Sequence, residues 1–244
     1  MRLCHSLSLT EPAPSPARMK QINRYYDPGH ISAALDRGDH RGVIGGMWDE
    51  IGPLQFDYMR KLGLRPDMYL LDIGCGCLRG GVQFVNYLEA GHYYGCDLSQ
   101  DLLDAGYDIE LAAAGLQAKL PRENLRSTDA FDIAPFERQF DMAIAVSVFS
   151  HLTLNHLMLC LARLADAMRP DGVFCATLFH CPDNHDWTQP LQHPAGKRSY
   201  PDRDPYHYRR VDLKRAIGSL PWALECLEDW NHPRNQWMAR FRRL

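Results

Sequence analysis

The strongest chemical signal in the sequence is a glycine-rich loop that lies between two acidic residues. The loop runs from Gly74 to Gly81 and directly follows a short apolar run that contains Asp72. Glycines at such a turn let the backbone approach a bound ligand closely. Asp97 closes the next apolar run, where folds with this pattern place a carboxylate on ribose hydroxyls. These residues predict a site for a ligand that contains a nucleoside.

Asp72 indicates which nucleoside ligand the loop would accept. A dinucleotide places its pyrophosphate over such a loop, where the Asp72 carboxylate would repel it, whereas an ammonium or a sulfonium would be attracted. In addition, the third glycine of the dinucleotide pattern would fall at Arg79 and not at Gly80. Both features favour S-adenosylmethionine (SAM) over NAD. The alternative is that Asp72 only caps the turn that follows it.

Around this loop the chain resembles the class I SAM-dependent methyltransferases. The motifs of that family occur here in the family's order, as the glycine loop with Asp97, then 127–131, 140–145 and 168–172. A looser resemblance to one bacterial subgroup of unassigned substrate rests on the N-terminal segment, the glycine loop, 206–208 and 232–234. The resemblance to the class I family implies SAM as the cofactor, with S-adenosylhomocysteine (SAH) as the product, and the subgroup implies no substrate.

The family resemblance also implies roles for individual residues along the cofactor. Asp72 and the loop backbone at Gly74, Cys75 and Gly76 would hold the methionine end. The ribose would contact Asp97 and Leu98, and the adenine would contact Asp129, Ala130 and Phe131. Ser147, just after the fourth strand, would offer its backbone near the sulfonium.

His151 is the first candidate for a base that removes a proton from the acceptor. It follows the fourth strand, at the sheet edge where open α/β folds bind ligands, and imidazole titrates near neutral pH. The alternative is that it packs against or caps the helix that starts near Thr153. His207 and Tyr206 are further catalytic candidates that could gate the substrate, or they belong to a mixed aromatic surface pocket.

Three further side chains are candidates for binding the cofactor or the substrate. Tyr25 and Trp48 could stack on a sulfonium or an adenine, or they could hold a small helix on the domain. Arg79 could bind an anionic substrate or the methionine carboxylate, with a solvated helix start as the alternative. No metal is expected, because the spacing of the cysteines and histidines at 175, 180, 181 and 185 matches no common zinc pattern.

Alternating strands and helices must position these residues. The hydrophobic pattern predicts strands at 68–73, 92–96, 125–128, 141–146 and 173–179, helices at 82–88, 102–116 and 154–168, and a last helix at 211–220. Two closing strands at 223–227 and 236–242 are predicted to pair antiparallel. The fold class is therefore α/β, a doubly wound, mostly parallel, seven-stranded Rossmann-like methyltransferase sheet with a small N-terminal helical appendage.

The organisation along the chain follows from composition. Residues 1–20 are predicted to be a disordered leader, 21–65 an N-terminal helical cap, and 66–244 the methyltransferase domain. The Pro- and His-rich stretch 180–208 reads as a substrate loop.

Composition also bounds partners and location. A formal net charge of −3 and the absence of a long apolar run predict neither a nucleic acid nor a membrane partner. Eight scattered cysteines indicate a reducing cytoplasm without a disulfide framework. We therefore expect in-line methyl transfer to a small molecule or a peptide, and the oligomeric state is not predicted. The alternatives are a non-catalytic SAM-binding scaffold or sensor, and another group transfer on the same fold.

Overall fold

The computed structural model describes residues 23–244, so the predicted leader at 1–20 lies outside the described residues. The described chain begins with a helical segment made of α1 (Pro28–Asp36), α2 (His40–Val43) and α3 (Trp48–Lys61). Strands and helices then alternate as β1 (Leu70–Ile73), α4 (Gly81–Tyr87), β2 (Tyr93–Asp97), α5 (Gln100–Ala105), β3 (Leu125–Ser127), β4 (Phe140–Ala145), α6 (Leu154–Ala167) and β5 (Met168–His180).

The last part of the chain contains three short strands, a helix and a long hairpin. The stretch 180–208 includes β6 (Leu191–Gln192) and β7 (Arg198–Ser199), which form a separate small antiparallel pair, and β8 (His207–Tyr208). These are followed by α7 (Arg210–Ile217), β9 (Trp222–Asp229) and β10 (Gln236–Arg243). The predicted antiparallel pairing of the two closing strands is confirmed.

The main sheet has the order β3-β2-β1-β4-β5-β10-β9. Neighbours from β3 to β5 are parallel, and β10 inserts antiparallel between β5 and β9. The predicted α/β class and mostly parallel sheet are confirmed. The predicted count of seven strands is corrected to eight, because β8 also pairs with the end of β5.

Helices cover both faces of the sheet, and this explains its apolar strands. All four residues of β1 are buried, as is typical of a parallel strand with helices on both faces. On α6, the buried residues Leu157, Leu161 and Leu164 form one apolar stripe against the sheet. Because the chain order reverses between β1 and β4, a crevice opens there at the carboxyl ends of the strands.

Two predicted boundaries were wrong. In the stretch predicted as a helix at 102–116, α5 ends at Ala105 and the chain continues as a π-helical turn, Gly106–Leu111. This turn packs closely on the glycine loop, since a Cβ at Gly106 would lie 2.9 Å from the Cys77 carbonyl carbon. The fifth strand begins at Met168 and not at 173. Asp171, at φ 62°, lies where the pairing of this strand with β4 is irregular.

An ion cluster around the buried Glu110 carboxylate attaches the N-terminal helices to the sheet domain. Glu110, in the π-helical turn, accepts hydrogen bonds from Arg41 Nε and Arg41 Nη2, each at 2.6 Å. His40 Nε2 lies 2.6 Å from the same carboxylate. In residues 23–244, no helix is both long and apolar enough to cross a membrane.

Candidate active site

A single cleft brings together most of the predicted site residues. It lies at the carboxyl ends of β1, β2 and β4, is roofed by the N-terminal segment, and has a volume of about 1100 Å³ including its open mouth. The sequence-predicted residues that line it are Tyr25, Asp72, Gly74, Cys75, Gly76, Arg79, Asp97, Leu98, Asp129, Phe131, Ser147 and His151.

Asp72 supplies a buried carboxylate at the end of β1. It is 4% exposed, and the Tyr93 hydroxyl donates a hydrogen bond to its Oδ2 at 2.8 Å. Burial raises the pKa of Asp72 to about 7, and the bond from Tyr93 limits that rise. A carboxylate in this state gains from a neighbouring cation, which would replace the solvation lost on burial.

The turn after β1 depends on glycine. Gly74 has φ +69°, and a Cβ there would lie 2.3 Å from Val148 Cγ2, so no larger residue fits without displacing the loop after β4. The amide of Gly76 donates to Asp97 Oδ2 at 2.8 Å, so this backbone group is engaged by the second acid. The glycines therefore bring the ends of β1, β2 and β4 close together around the cleft.

Asp97 both lines the cleft and fixes the loop. Its Oδ1 accepts from the Ser99 amide at 3.0 Å while its Oδ2 accepts from Gly76. Burial raises the pKa of Asp97, and these backbone donors oppose the rise. The carboxylate is thus held in one orientation at the end of β2, as ribose recognition requires.

Arg79 is a buried cation without a carboxylate partner among residues 23–244. Its Nη1 donates to the Gly46 carbonyl at 2.8 Å, whereas its buried Nε has no hydrogen-bond partner in that part of the chain. Burial lowers the pKa of Arg79 to about 10. An unpaired, buried guanidinium that lines the cleft is suited to an anionic group of a ligand.

The predicted adenine end and the turn after β4 lie on the same cleft. Asp129 and Phe131 line it, whereas Ala130 is exposed outside the lining. Ser147 adopts a left-handed conformation at φ 61°, and its amide donates to Thr177 Oγ1 at 2.7 Å. The Ser147 amide is therefore engaged by the protein, and the lining here includes Val146 and Val148 on either side of it.

His151 lies at the end of the cleft nearest the N-terminal segment. Its Nδ1 is 2.5 Å from Asp204 Oδ1, and the Tyr25 ring meets the imidazole edge-on at a centroid distance of 5.3 Å. Asn23 Nδ2 donates to the His151 carbonyl at 2.8 Å. The histidine is thus oriented from two sides and does not cap α6.

Three other predicted residues are placed away from the cleft lining. Trp48 packs under the Arg41 guanidinium at 4.3 Å, which holds a helix rather than a ligand. His207 is buried, with both ring nitrogens engaged, Nδ1 by Ser199 Oγ at 3.0 Å and Nε2 by the Trp187 carbonyl at 2.9 Å. Tyr206 packs beside Tyr208, and its amide donates to the Ser150 carbonyl. The structure gives these three residues packing roles.

Several residues that line the cleft or contact its histidine were not predicted from the sequence. Asn23, Tyr26 and Gln55 line the cleft, and Asp204 contacts His151 from the stretch 180–208. No spacing rule connects them with the glycine loop, since they reach it only through tertiary packing. The adjacent tyrosines at 25 and 26 were the one sequence signal for the N-terminal segment that covers the cleft, and a binding role was predicted for Tyr25 alone.

A known protein family matches the part of the sequence that forms the centre of this site. Residues 71–174, which include the glycine loop, Asp97, Asp129 and His151, match the family described as a methyltransferase domain. This stretch is therefore similar to a methyltransferase domain. The match ends within β5, so the roof and the loop that carries Asp204 lie outside it.

Known proteins are similar to the methyltransferase domain in sequence or in fold. A curated relative, "Probable fatty acid methyltransferase" of Pseudomonas putida, is 33% identical over 121 residues. That match covers 49% of this chain and 29% of the relative, so the chain spans less than a third of the relative's length.

Solved structures show the same fold at low sequence identity. Magnesium protoporphyrin IX methyltransferase from Synechocystis, with bound SAM, aligns at TM-score 0.57 and 12% identity, covering 80% of this chain and 81% of that one. A SAM-dependent methyltransferase from Clostridium acetobutylicum aligns at 0.57 and 14% identity, covering 90% and 99%. The described chain therefore shares the fold of these SAM-dependent methyltransferases.

Proposed function

We propose that this protein transfers the methyl group of SAM to a small-molecule or peptide acceptor, with His151 as the base. The observation that carries the proposal is the arrangement of a single cleft. Asp72, the glycine loop, Asp97 and His151 all line it. A cofactor site that shares a cleft with a group able to accept a proton is suited to an in-line displacement.

The residues of the cleft fit the chemical groups of SAM. The Asp72 carboxylate matches the ammonium, and Arg79 matches the methionine carboxylate or an anionic acceptor. Asp97 matches the ribose hydroxyls, with Asp129 and Phe131 beside the adenine. When bound, SAM supplies a methyl carbon made reactive by a positive sulfur. The protein then has to align the acceptor, exclude water and remove a proton.

The acceptor is proposed to enter beside Tyr25, Tyr26 and His151. Two aromatic rings and the apolar side chain of Val148 favour an acceptor with an apolar part. The name of the Pseudomonas putida relative makes fatty acids one class to test. The net charge of −3 disfavours a nucleic acid. The free cysteines of the described chain, six of them buried, support a cytoplasmic location.

Calorimetric titration tests the cofactor assignment. We expect the full chain to bind SAM and SAH but not NAD. Asp97→Ala should lose this binding, because the carboxylate both lines the cleft and holds the Gly76 amide. A thermal melt of that variant separates loss of the site from loss of the fold. If the wild-type chain binds neither adenosyl ligand, the proposal is wrong.

Methyl transfer is then measured with methyl-labelled SAM on a panel of fatty acids, phenols, amines and short peptides. His151→Ala should keep SAH binding and lose about a hundredfold or more in rate, the usual contribution of a general base. Unchanged turnover in His151→Ala would remove the histidine from the mechanism while leaving the cofactor site in place.

A further inference from the structure

The substrate loop places a carboxylate on the histidine of the cleft. Asp204 Oδ1 and His151 Nδ1 are 2.5 Å apart, although 53 positions separate the two residues in the chain. Their side chains are 24% and 23% exposed, so the contact is partly shielded from water. Among the carboxylates of residues 23–244, Asp204 is the one within ion-pair distance of this imidazole.

The loop that carries Asp204 is held to the same turn by its backbone. The Tyr206 amide donates to the Ser150 carbonyl at 2.8 Å, immediately before His151. The Tyr200 amide donates to the Pro205 carbonyl at 2.7 Å, closing the loop around Asp204. The carboxylate is therefore positioned by backbone bonds on both sides of it, and the contact does not depend on a mobile side chain alone.

The pairing leaves the second ring nitrogen of His151 for the cleft. A carboxylate only accepts hydrogen bonds, so it favours the tautomer in which Nδ1 carries the hydrogen. Nε2 then holds the lone pair, and no residue of the described chain forms a hydrogen bond with it. Since His151 lines the cleft, this nitrogen is the one available to an acceptor.

We propose that Asp204 is a positioning residue that makes Nε2 of His151 the base of the methyl transfer. This inference rests on the proposed function. As a lone pair of the acceptor atom bonds to the methyl carbon, the bond from that carbon to sulfur breaks and its electrons stay on sulfur. The acceptor's proton moves to Nε2, and Asp204 stabilises the resulting imidazolium through Nδ1.

The pair also specifies the class of acceptor. A base is useful where the acceptor atom carries a proton at neutral pH, as in a hydroxyl or an N–H group. An ionised carboxylate or a thioether has no such proton to lose. The acceptor is therefore a compound whose acceptor atom carries a proton, such as a hydroxyl, a thiol or an N–H group, and the fatty acids of the test panel should be methylated more slowly than its phenols or amines.

The role of Asp204 can be tested without a known acceptor by nitrogen NMR. The full-length protein is used with isotope-labelled histidines and saturating SAH. His151→Gln identifies the resonances of His151. In the wild type we expect the tautomer with hydrogen on Nδ1. Asp204→Asn should lose this preference, because an amide N–H can donate to Nδ1, while SAH affinity stays within about twofold.

The matched control is Asp202→Asn, two positions away on the same loop, where the carboxylate is exposed and lies 3.8 Å from Arg203. It should leave both the tautomer and SAH affinity unchanged. Hydrogen on Nε2 in the wild type, or an unchanged tautomer in a folded Asp204→Asn, would overturn the inference. Failure of the wild type to bind SAH would instead contradict the proposed function, so the two failures are distinguishable.

Discussion

At the scale of single residues, the cleft combines buried charges that the protein itself does not neutralise. Asp72 and Arg79 both line it, and both are more than nine-tenths buried, yet no ion pair within 4 Å joins either of them to another described residue. Burial disfavours each charge, which is why their pKa values move toward neutrality. A zwitterionic amino acid group, as in SAM, would compensate both at once.

The pKa of Asp72 predicts how cofactor affinity depends on pH. The carboxyl is protonated below about 7 and must ionise to bind an ammonium. SAH affinity should therefore rise about eightfold between about pH 6 and pH 7.5, as the ionised fraction grows. Calorimetry at several pH values measures this rise. The control ligand is 5′-methylthioadenosine, which lacks the amino acid group, and an equal rise for that ligand would contradict the assignment of Asp72.

At the scale of elements, the stretch 180–208 is held by a buried chain of hydrogen bonds. His193 Nε2 lies 2.7 Å from Ser199 Oγ, which lies 3.0 Å from His207 Nδ1, and His207 Nε2 donates to the Trp187 carbonyl. Because a carbonyl only accepts, Nε2 of His207 carries a hydrogen. Burial lowers the pKa of His193 to about 4, in agreement with a neutral ring.

Two fully buried serines make a matched test of this chain. Ser199→Ala removes the partner of two imidazoles and should destabilise the protein by about 2 kcal/mol, because a buried donor and acceptor lose their bonds. Ser150→Ala should be neutral or stabilising, since Ser150 Oγ has no hydrogen-bond partner within residues 23–244. Thermal and denaturant unfolding compare the stability of the two variants. Equal changes in the free energy of unfolding would show that these hydrogen bonds do not hold the stretch 180–208.

At the scale of the whole molecule, the cleft is built by parts that are distant in sequence. The floor comes from the ends of β1, β2 and β4, and the roof from Asn23, Tyr25, Tyr26, Ile31 and Ile44. The roof is attached by Asn23 to His151 and by Arg41 to Glu110. A ligand in the cleft therefore contacts the N-terminal segment and the sheet domain together.

Hydrogen exchange of the full chain should report this shared site. SAH is expected to slow amide exchange both at 72–80 and at 23–46, because a bound ligand stabilises every element that contacts it. The β9–β10 hairpin lies outside the cleft lining and serves as the internal control. Protection confined to the sheet domain would show that the roof takes no part in binding.

The sequence alone determined the order of strands and helices, the parallel class of the sheet and many of the residues that line the cleft. These features follow from hydrophobic periodicity and from a contiguous motif, in which Asp72, Gly74 and Gly76 are placed by their position at the end of one strand. Asp97 follows by the same logic at the end of the next strand. Local patterns of this kind need no knowledge of contacts between distant segments.

The tertiary structure decided what local patterns do not contain. His151 follows β4 and His207 lies within β8, yet only His151 lines the cleft, while His207 is enclosed by its own loop. The partner of His151 was equally invisible, since 53 positions separate it from Asp204. Such pairs form because packing closes long loops onto one sheet edge, and the resulting distances depend on the whole fold rather than on any segment of the sequence.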